Sequence, residues 1–174
     1  MELKDDKLYI AGGYNSSLEK DEEENPIYKY DACIFVYDLN GELLDIYDIK
    51  GDSEEHFNSL ILLDSKIVAI GYTKSSDIDI NNLNYQEKKS EGIIVEYDYD
   101  GKILNTQSYS GKNNEMLNEI ILAIPDTADK INDTKPYVVV GYSNSKRGLF
   151  KGNNKDYYSK TLKYNEKLEL LIEK

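Results

Sequence analysis

The sequence predicts an all-β fold made of three repeated units of four-stranded antiparallel sheet. Three observations carry this expectation. Short runs rich in Ile, Val, Leu and Tyr alternate with turn residues along the whole chain. The 174 residues include sixteen Tyr, eleven Gly and three Pro but no Trp, a composition that favours strands and tight turns over helical bundles. Several residue markers also recur in phase at about 60 residues, which one large sandwich does not explain.

The first marker is a Gly-Tyr pair after an apolar run. Gly13-Tyr14 follows Leu8 to Gly12, Gly71-Tyr72 follows Ile67 to Ile70, and Gly141-Tyr142 follows Tyr137 to Val140. A second marker aligns Phe35-Val36-Tyr37-Asp38-Leu39-Asn40-Gly41 with Val95-Glu96-Tyr97-Asp98-Tyr99-Asp100-Gly101 at a shift of 60, with a weaker third copy from Leu162. The third, at the same shift, aligns Gly51, Glu55, Phe57, Asn58 and Ile61 with Gly111, Glu115, Leu117, Asn118 and Ile121.

Within the second unit the strands read as Phe57 to Leu63, Lys66 to Gly71, Gly92 to Asp98 and Lys102 to Tyr109. Asp64-Ser65 makes a tight turn between the first two. Asp38 to Gly41 and Asp98 to Gly101 are hairpin turns, in which Gly supplies a positive φ and the leading Asp accepts from turn amides. The first unit has only six residues before Lys7 and is expected to lack its opening strand, giving eleven strands. The units divide at about 1–51, 52–111 and 112–174, within a single repeat domain over residues 1–174. Four antiparallel strands at this period are the sequence form of a propeller blade. Three blades cannot close a ring, so the chain is expected to be a partial propeller, half of an oligomeric ring, or an open array.

The stretch from Lys66 through Thr73, a variable insert, and Gly92 through Leu104 resembles bacterial β-propeller repeats of the seven-bladed or delta-60 type, found in secreted and surface proteins. The likeness spans nearly the whole chain, but its motifs are structural. It implies blades and an extracellular or cell-surface location, and it transfers no catalytic residue. The N-terminus is charged and carries no signal-peptide core, so a cytoplasmic location stays open.

Charge narrows the partners. Lys plus Arg number 21 against 33 Asp plus Glu, a net charge of −12. This acidity argues against nucleic acid and against anionic membrane surfaces, and no apolar run is long enough to insert in a bilayer. The insert between second and third strands is long in each unit. Residues 14–31 carry six acids and two Lys, whereas residues 142–158 carry Lys146, Arg147, Lys151 and Lys155 against Asp156. Head-to-tail assembly of two copies would set the basic insert beside the acidic one in a homo-oligomer that completes the ring; the alternative reading is solvated loops with scattered charge.

Chemistry-bearing motifs are weak. Glu96-x-Asp98-x-Asp100-Gly101 resembles the start of a calcium loop, but Gln107 stands where a bidentate Glu is required, and a hairpin explains the same residues. Asp77, Asp79 and Glu22 to Glu24 read as acidic loops. His56, the one histidine, reads as a surface-loop residue, and Cys33 as a buried strand residue. The repeated Tyr14, Tyr72 and Tyr142 read as blade-to-blade packing. No catalytic residue, metal site or cofactor is assigned. The expected function is a non-enzymatic interaction module that binds a protein or glycan through the long loops on one face. Its binding residues would be Tyr28, Tyr30, Tyr85, Leu149, Phe150 and Tyr157, which place aromatic and apolar surface in or beside polar loops. The alternatives are a fragment of a propeller enzyme, glycosidase or quinoprotein-like, with its catalytic groups elsewhere, and a structural repeat spacer.

Overall fold

A computed structural model describes residues 1–15, 20, 23–25, 29–78, 89–109, 111, 113–123, 137–144, 158–164 and 170–173. Twelve strands lie among them: β1 (Glu2–Lys4), β2 (Lys7–Asn15), β3 (Tyr30–Asp38), β4 (Leu43–Ile49), β5 (Glu55–Leu62), β6 (Ile67–Thr73), β7 (Glu91–Tyr97), β8 (Ile103–Tyr109), β9 (Glu115–Leu122), β10 (Tyr137–Ser143), β11 (Tyr158–Tyr164) and β12 (Leu170–Glu173). They form three four-stranded antiparallel meanders, β1–β4, β5–β8 and β9–β12. The fold is all-β and built of blade-type sheets.

One expectation is corrected. The first sheet does not lack its opening strand: β1 pairs with Lys7–Tyr9 of β2. The turn that permits this is Asp5-Asp6, with both residues at positive φ, 50° and 59°. Asp tolerates the left-handed region, and two such residues make the tight turn that joins twisted strands. Lys4 fixes the strand to the second sheet. Its Nζ donates to the carbonyls of Leu63 and Asp64, each at 3.0 Å, and lies 4.0 Å above the Tyr99 ring. β1 is nevertheless only three residues long, against eight for β5 and β9.

The two Asp-led hairpins follow one design. Asp38 Oδ1 accepts from the amides of Asn40 and Glu42, and Asp98 Oδ1 from those of Asp100 and Lys102, at 2.8–3.0 Å. Gly41 and Gly101 supply φ of +84° and +83°. The amide bonds hold the exposed Asp38 carboxyl below its ordinary range, the Glu42 amide foremost.

The sheets stack face to face, and the second is buried on both sides. One core joins the first two sheets through Tyr9, Ile34, Val36 and Tyr47 against Phe57, Leu60, Ile67, Ala69, Ile93 and Tyr97. The other joins the second and third through Val68, Ile70 and Ile94 against Leu117, Ile120, Tyr137, Val139 and Leu162. This is why β6 and β7 read as continuous apolar runs rather than alternating ones. The opening strands of all three sheets come together: Glu2, Ile61 and Glu119–Leu122 line one hollow of about 260 Å³.

Candidate interaction surfaces

Of the predicted loop residues, Tyr28, Tyr85, Leu149, Phe150 and Tyr157 lie outside the described residues. Tyr30 opens β3, pairs with Asn15 and is 39% exposed, at the edge of the long connection from β2. The charged inserts lie largely outside the described residues as well.

The Gly-Tyr marker is not in structural register. Ile93 of β7 pairs with Gly71, and Cys33, 60 residues earlier, pairs with Gly12. The counterpart of Gly71 is therefore Gly12 rather than Gly13. A one-residue slip moves a side chain to the other face of a sheet. Tyr72 points toward the third sheet, stacks on His56 at 6.3 Å and donates to Glu54 Oε1. Tyr142 is its counterpart and donates to Met116 Sδ. Tyr14 sits on the opposite face, against Phe35, with its hydroxyl on Asp48 Oδ2 at 2.9 Å. The three tyrosines thus share no single packing role.

The third marker turns out to be a clasp. Glu55 and Glu115 are fully buried at the start of β5 and β9. Glu55 Oε1 accepts from the hydroxyls of Thr73 and Ser75, and Glu115 from the Ser143 hydroxyl and the Gly111 amide, both at 2.9 Å. Each clasp ties the entry of an opening strand to the end of the neighbouring second strand. Burial outweighs these donors at Glu55 and raises its carboxyl above the ordinary value. Asp52 and Asp77 tie the adjoining loops: Asp52 accepts from Ser76, and Asp77 Oδ1 from the Asp52 amide. Ile78, next to Asp77, is buried in the first core.

The residues of the calcium-like stretch have other partners. Asp98 is committed to its hairpin amides, and the buried Glu96 is paired with Lys66. Among the described residues no three His, Cys, Asp or Glu side chains gather where a metal ion would sit. His56 is a strand residue of β5, not a loop residue, and lies over Gly13. Cys33 is completely buried, and burial pushes its thiol up to about 12. At physiological pH it is a packed thiol.

The most distinctive surfaces are the two ends of the stack. Ile61, in the face of the second sheet that meets the third, is 4% exposed, whereas Ile121, at the same place in the third sheet, is 52% exposed. Val138 and Val140 lie half-buried on that outer face, where Val68 and Ile70 are fully covered. At the other end, Thr106 is 7% exposed, and Ile46, 60 residues earlier on the outer face of the first sheet, is 37% exposed. Leu8, Ile10, Phe35 and Tyr37 extend this second apolar face. The signal for both faces was present in the sequence as the repeat itself, because apolar residues recur at positions that, among the described residues, no neighbouring sheet covers. No protein-family model matches the chain, and no curated protein matches it.

Proposed function

We propose that the chain is a non-enzymatic interaction module of β-propeller type, and that each end face takes a further blade-type sheet supplied by a second copy. The observation that carries this reading is the contrast between Ile61, covered inside the chain, and Ile121, exposed at the same place in the end sheet. The internal stacking of sheets is a template for the external one. Burying an aliphatic side chain stabilises by about 1.5–3 kcal/mol, so exposed copies of core positions favour association. Two copies joined head to tail would stack six sheets, within the range of four to eight blades that closes a ring. Recognition of a protein or glycan by the long connections stays an expectation of the sequence, with the exposed Tyr30 at its margin.

Complementing variants test the head-to-tail geometry. Ile121→Glu disables one end face and Ile46→Glu the other. Each variant alone should associate more weakly than the wild type by size-exclusion chromatography with light scattering. An equimolar mixture should recover a dimer through the one interface left intact. A mixture no more associated than its components would overturn the head-to-tail arrangement.

A further inference from the structure

The two Asp-led hairpins share one backbone but differ in the residue before the glycine. Asn40 precedes Gly41 in the first sheet, where Asp100 precedes Gly101 in the second. Asn40 is the one asparagine of the chain that is followed by glycine. Glycine has no Cβ to shield its backbone nitrogen. That nitrogen is therefore the least hindered nucleophile that a preceding asparagine side chain can meet. Asn40 is exposed, and so is Asp100, although the second sheet is covered by a neighbour on each face. The exposure belongs to the hairpin tip and not to the place of the sheet in the stack.

The groups that would react sit together at this tip. Asn40 Nδ2 donates to Asp38 Oδ2 at 3.1 Å, so the side-chain amide lies against the turn. The Gly41 amide, next along the chain, donates to the Asp38 carbonyl at 3.1 Å. The bond to Asp38 Oδ2 is exposed, so water competes for it and the tip can open locally without loss of either core. The second hairpin shows what the same turn looks like with an acid in place of the amide. The Asp100 amide reaches Asp98 Oδ1 at 3.0 Å, as the Asn40 amide reaches Asp38 Oδ1 at 2.9 Å. Gly101 donates to the Asp98 carbonyl at 3.2 Å, and its φ of +83° matches the +84° of Gly41.

We propose that Asn40-Gly41 is a site of spontaneous deamidation, which adds one negative charge to a chain whose net charge is already −12 and yields two products that the hairpin treats unequally. The Gly41 nitrogen gives its proton to hydroxide and attacks Asn40 Cγ. The new C–N bond closes a succinimide ring, and the Asn40 Nδ2 group leaves as ammonia after taking a proton from water. Water then opens the ring. Opening at the bond just formed restores the main chain and leaves aspartate. Opening at the original peptide bond leaves isoaspartate, whose main chain runs through the former side chain and is one methylene longer. In sum, amide and water become carboxylate and ammonium, and nothing is oxidised or reduced. The aspartate fits, because Asp100 holds that place with the same bonds. The isoaspartate does not. Its extra main-chain atom lies between Asp38 and the amides of Gly41 and Glu42, both of which donate back to Asp38. The hairpin between β3 and β4 then loses its register. The site is a covalent one at a turn, so it stands or falls apart from the docking of whole copies.

The test is incubation of the whole folded protein at mildly alkaline pH and body temperature, followed by tryptic peptide mapping with mass spectrometry. The peptide of residues 30–50 contains Asn40 and no other asparagine. It should show the amide-to-acid mass gain first, while the peptides carrying Asn58, Asn105 and Asn118 keep their mass. It should resolve into two isomers, one coeluting with the peptide from an Asn40→Asp protein and the other accepting a methyl group from an isoaspartyl methyltransferase. The isoaspartyl fraction should melt at a lower temperature than fresh wild type, whereas Asn40→Asp should melt close to it. Asn40→Ser, which suits the same turn, should release less ammonia than the wild type. Conversion of another asparagine ahead of Asn40, or an unchanged peptide 30–50, would overturn the site. An isoaspartyl fraction as stable as Asn40→Asp would overturn the unequal fit of the two products.

Discussion

Replacing Gly71 with alanine should be among the most damaging single changes in this chain, and replacing Gly12 among the mildest, although the two glycines share one place in the repeat. At Gly71 the new Cβ would stand 1.8 Å from the His56 carbonyl oxygen, and ordinary contact begins near 3.4 Å. The opening strand β5 must retreat by about 1.6 Å or the ladder must break. β5 carries Phe57 and Leu60 into the first core, both essentially inaccessible to solvent. A gap of only 0.5–1 Å already forfeits about a quarter to a half of the dispersion well. Displacement of this size therefore costs on the order of a large-to-small core substitution at Phe57, about 3–5 kcal/mol. That is a large part of the roughly 5–15 kcal/mol that holds a domain folded. At Gly12 the Cβ meets ordinary contact, so the lower backbone entropy of alanine leaves stability unchanged or raised by up to about 1 kcal/mol. Urea unfolding followed by far-ultraviolet circular dichroism, with the slope compared between variants, measures both. A Gly71→Ala protein within about 1 kcal/mol of wild type would refute the placement of β5 across Gly71.

Three further outcomes are expected. Lys4→Ala removes two bonds to the carbonyls of Leu63 and Asp64 and the contact with Tyr99, and should lower stability by about 1–2 kcal/mol in the same assay. Gly41→Ala and Gly101→Ala incur the same left-handed backbone strain, about 1–2 kcal/mol, but the Gly101 variant also drives a Cβ to 2.3 Å from the Tyr47 ring and should be clearly the less stable of the two in a thermal melt. Burial raises the folded-state Glu55 carboxyl above its unfolded value, so its contribution is fully present below the unfolded pKa and is lost as pH rises through the folded one. Relative to Glu55→Gln, the wild type should lose stability as pH rises from the ordinary carboxylate range upward, and parallel pH profiles for the two proteins would contradict this.

The fold was largely legible because the first two units share their turn chemistry. Asp-x-x-Gly hairpins, paired apolar runs and a fixed shift of 60 place β5–β8 within two residues of their observed ends. The missed element was β1. Its turn is Asp5-Asp6, which lacks the Gly or Asn that signals a two-residue hairpin, so its left-handed geometry is invisible in the sequence. The Gly-Tyr alignment failed by one residue because Gly12 and Gly13 are adjacent. Matching Gly13 to Gly71 favours the following Tyr, whereas the ladder sets Gly12 opposite Cys33 as it sets Gly71 opposite Ile93. The clasp was visible only as a recurring Gly51 and Glu55 pattern. Its partners, Thr73 and Ser75, lie about 20 residues away across a sheet, beyond what local spacing reports.

Sedimentation equilibrium of the wild-type protein over a wide concentration range tests the central claim most directly. The stacked-sheet account predicts a species of twice the 20.0 kDa chain mass that dissociates on dilution and is weakened by Ile121→Glu. A 20.0 kDa species at every concentration, unaffected by that substitution, would contradict it.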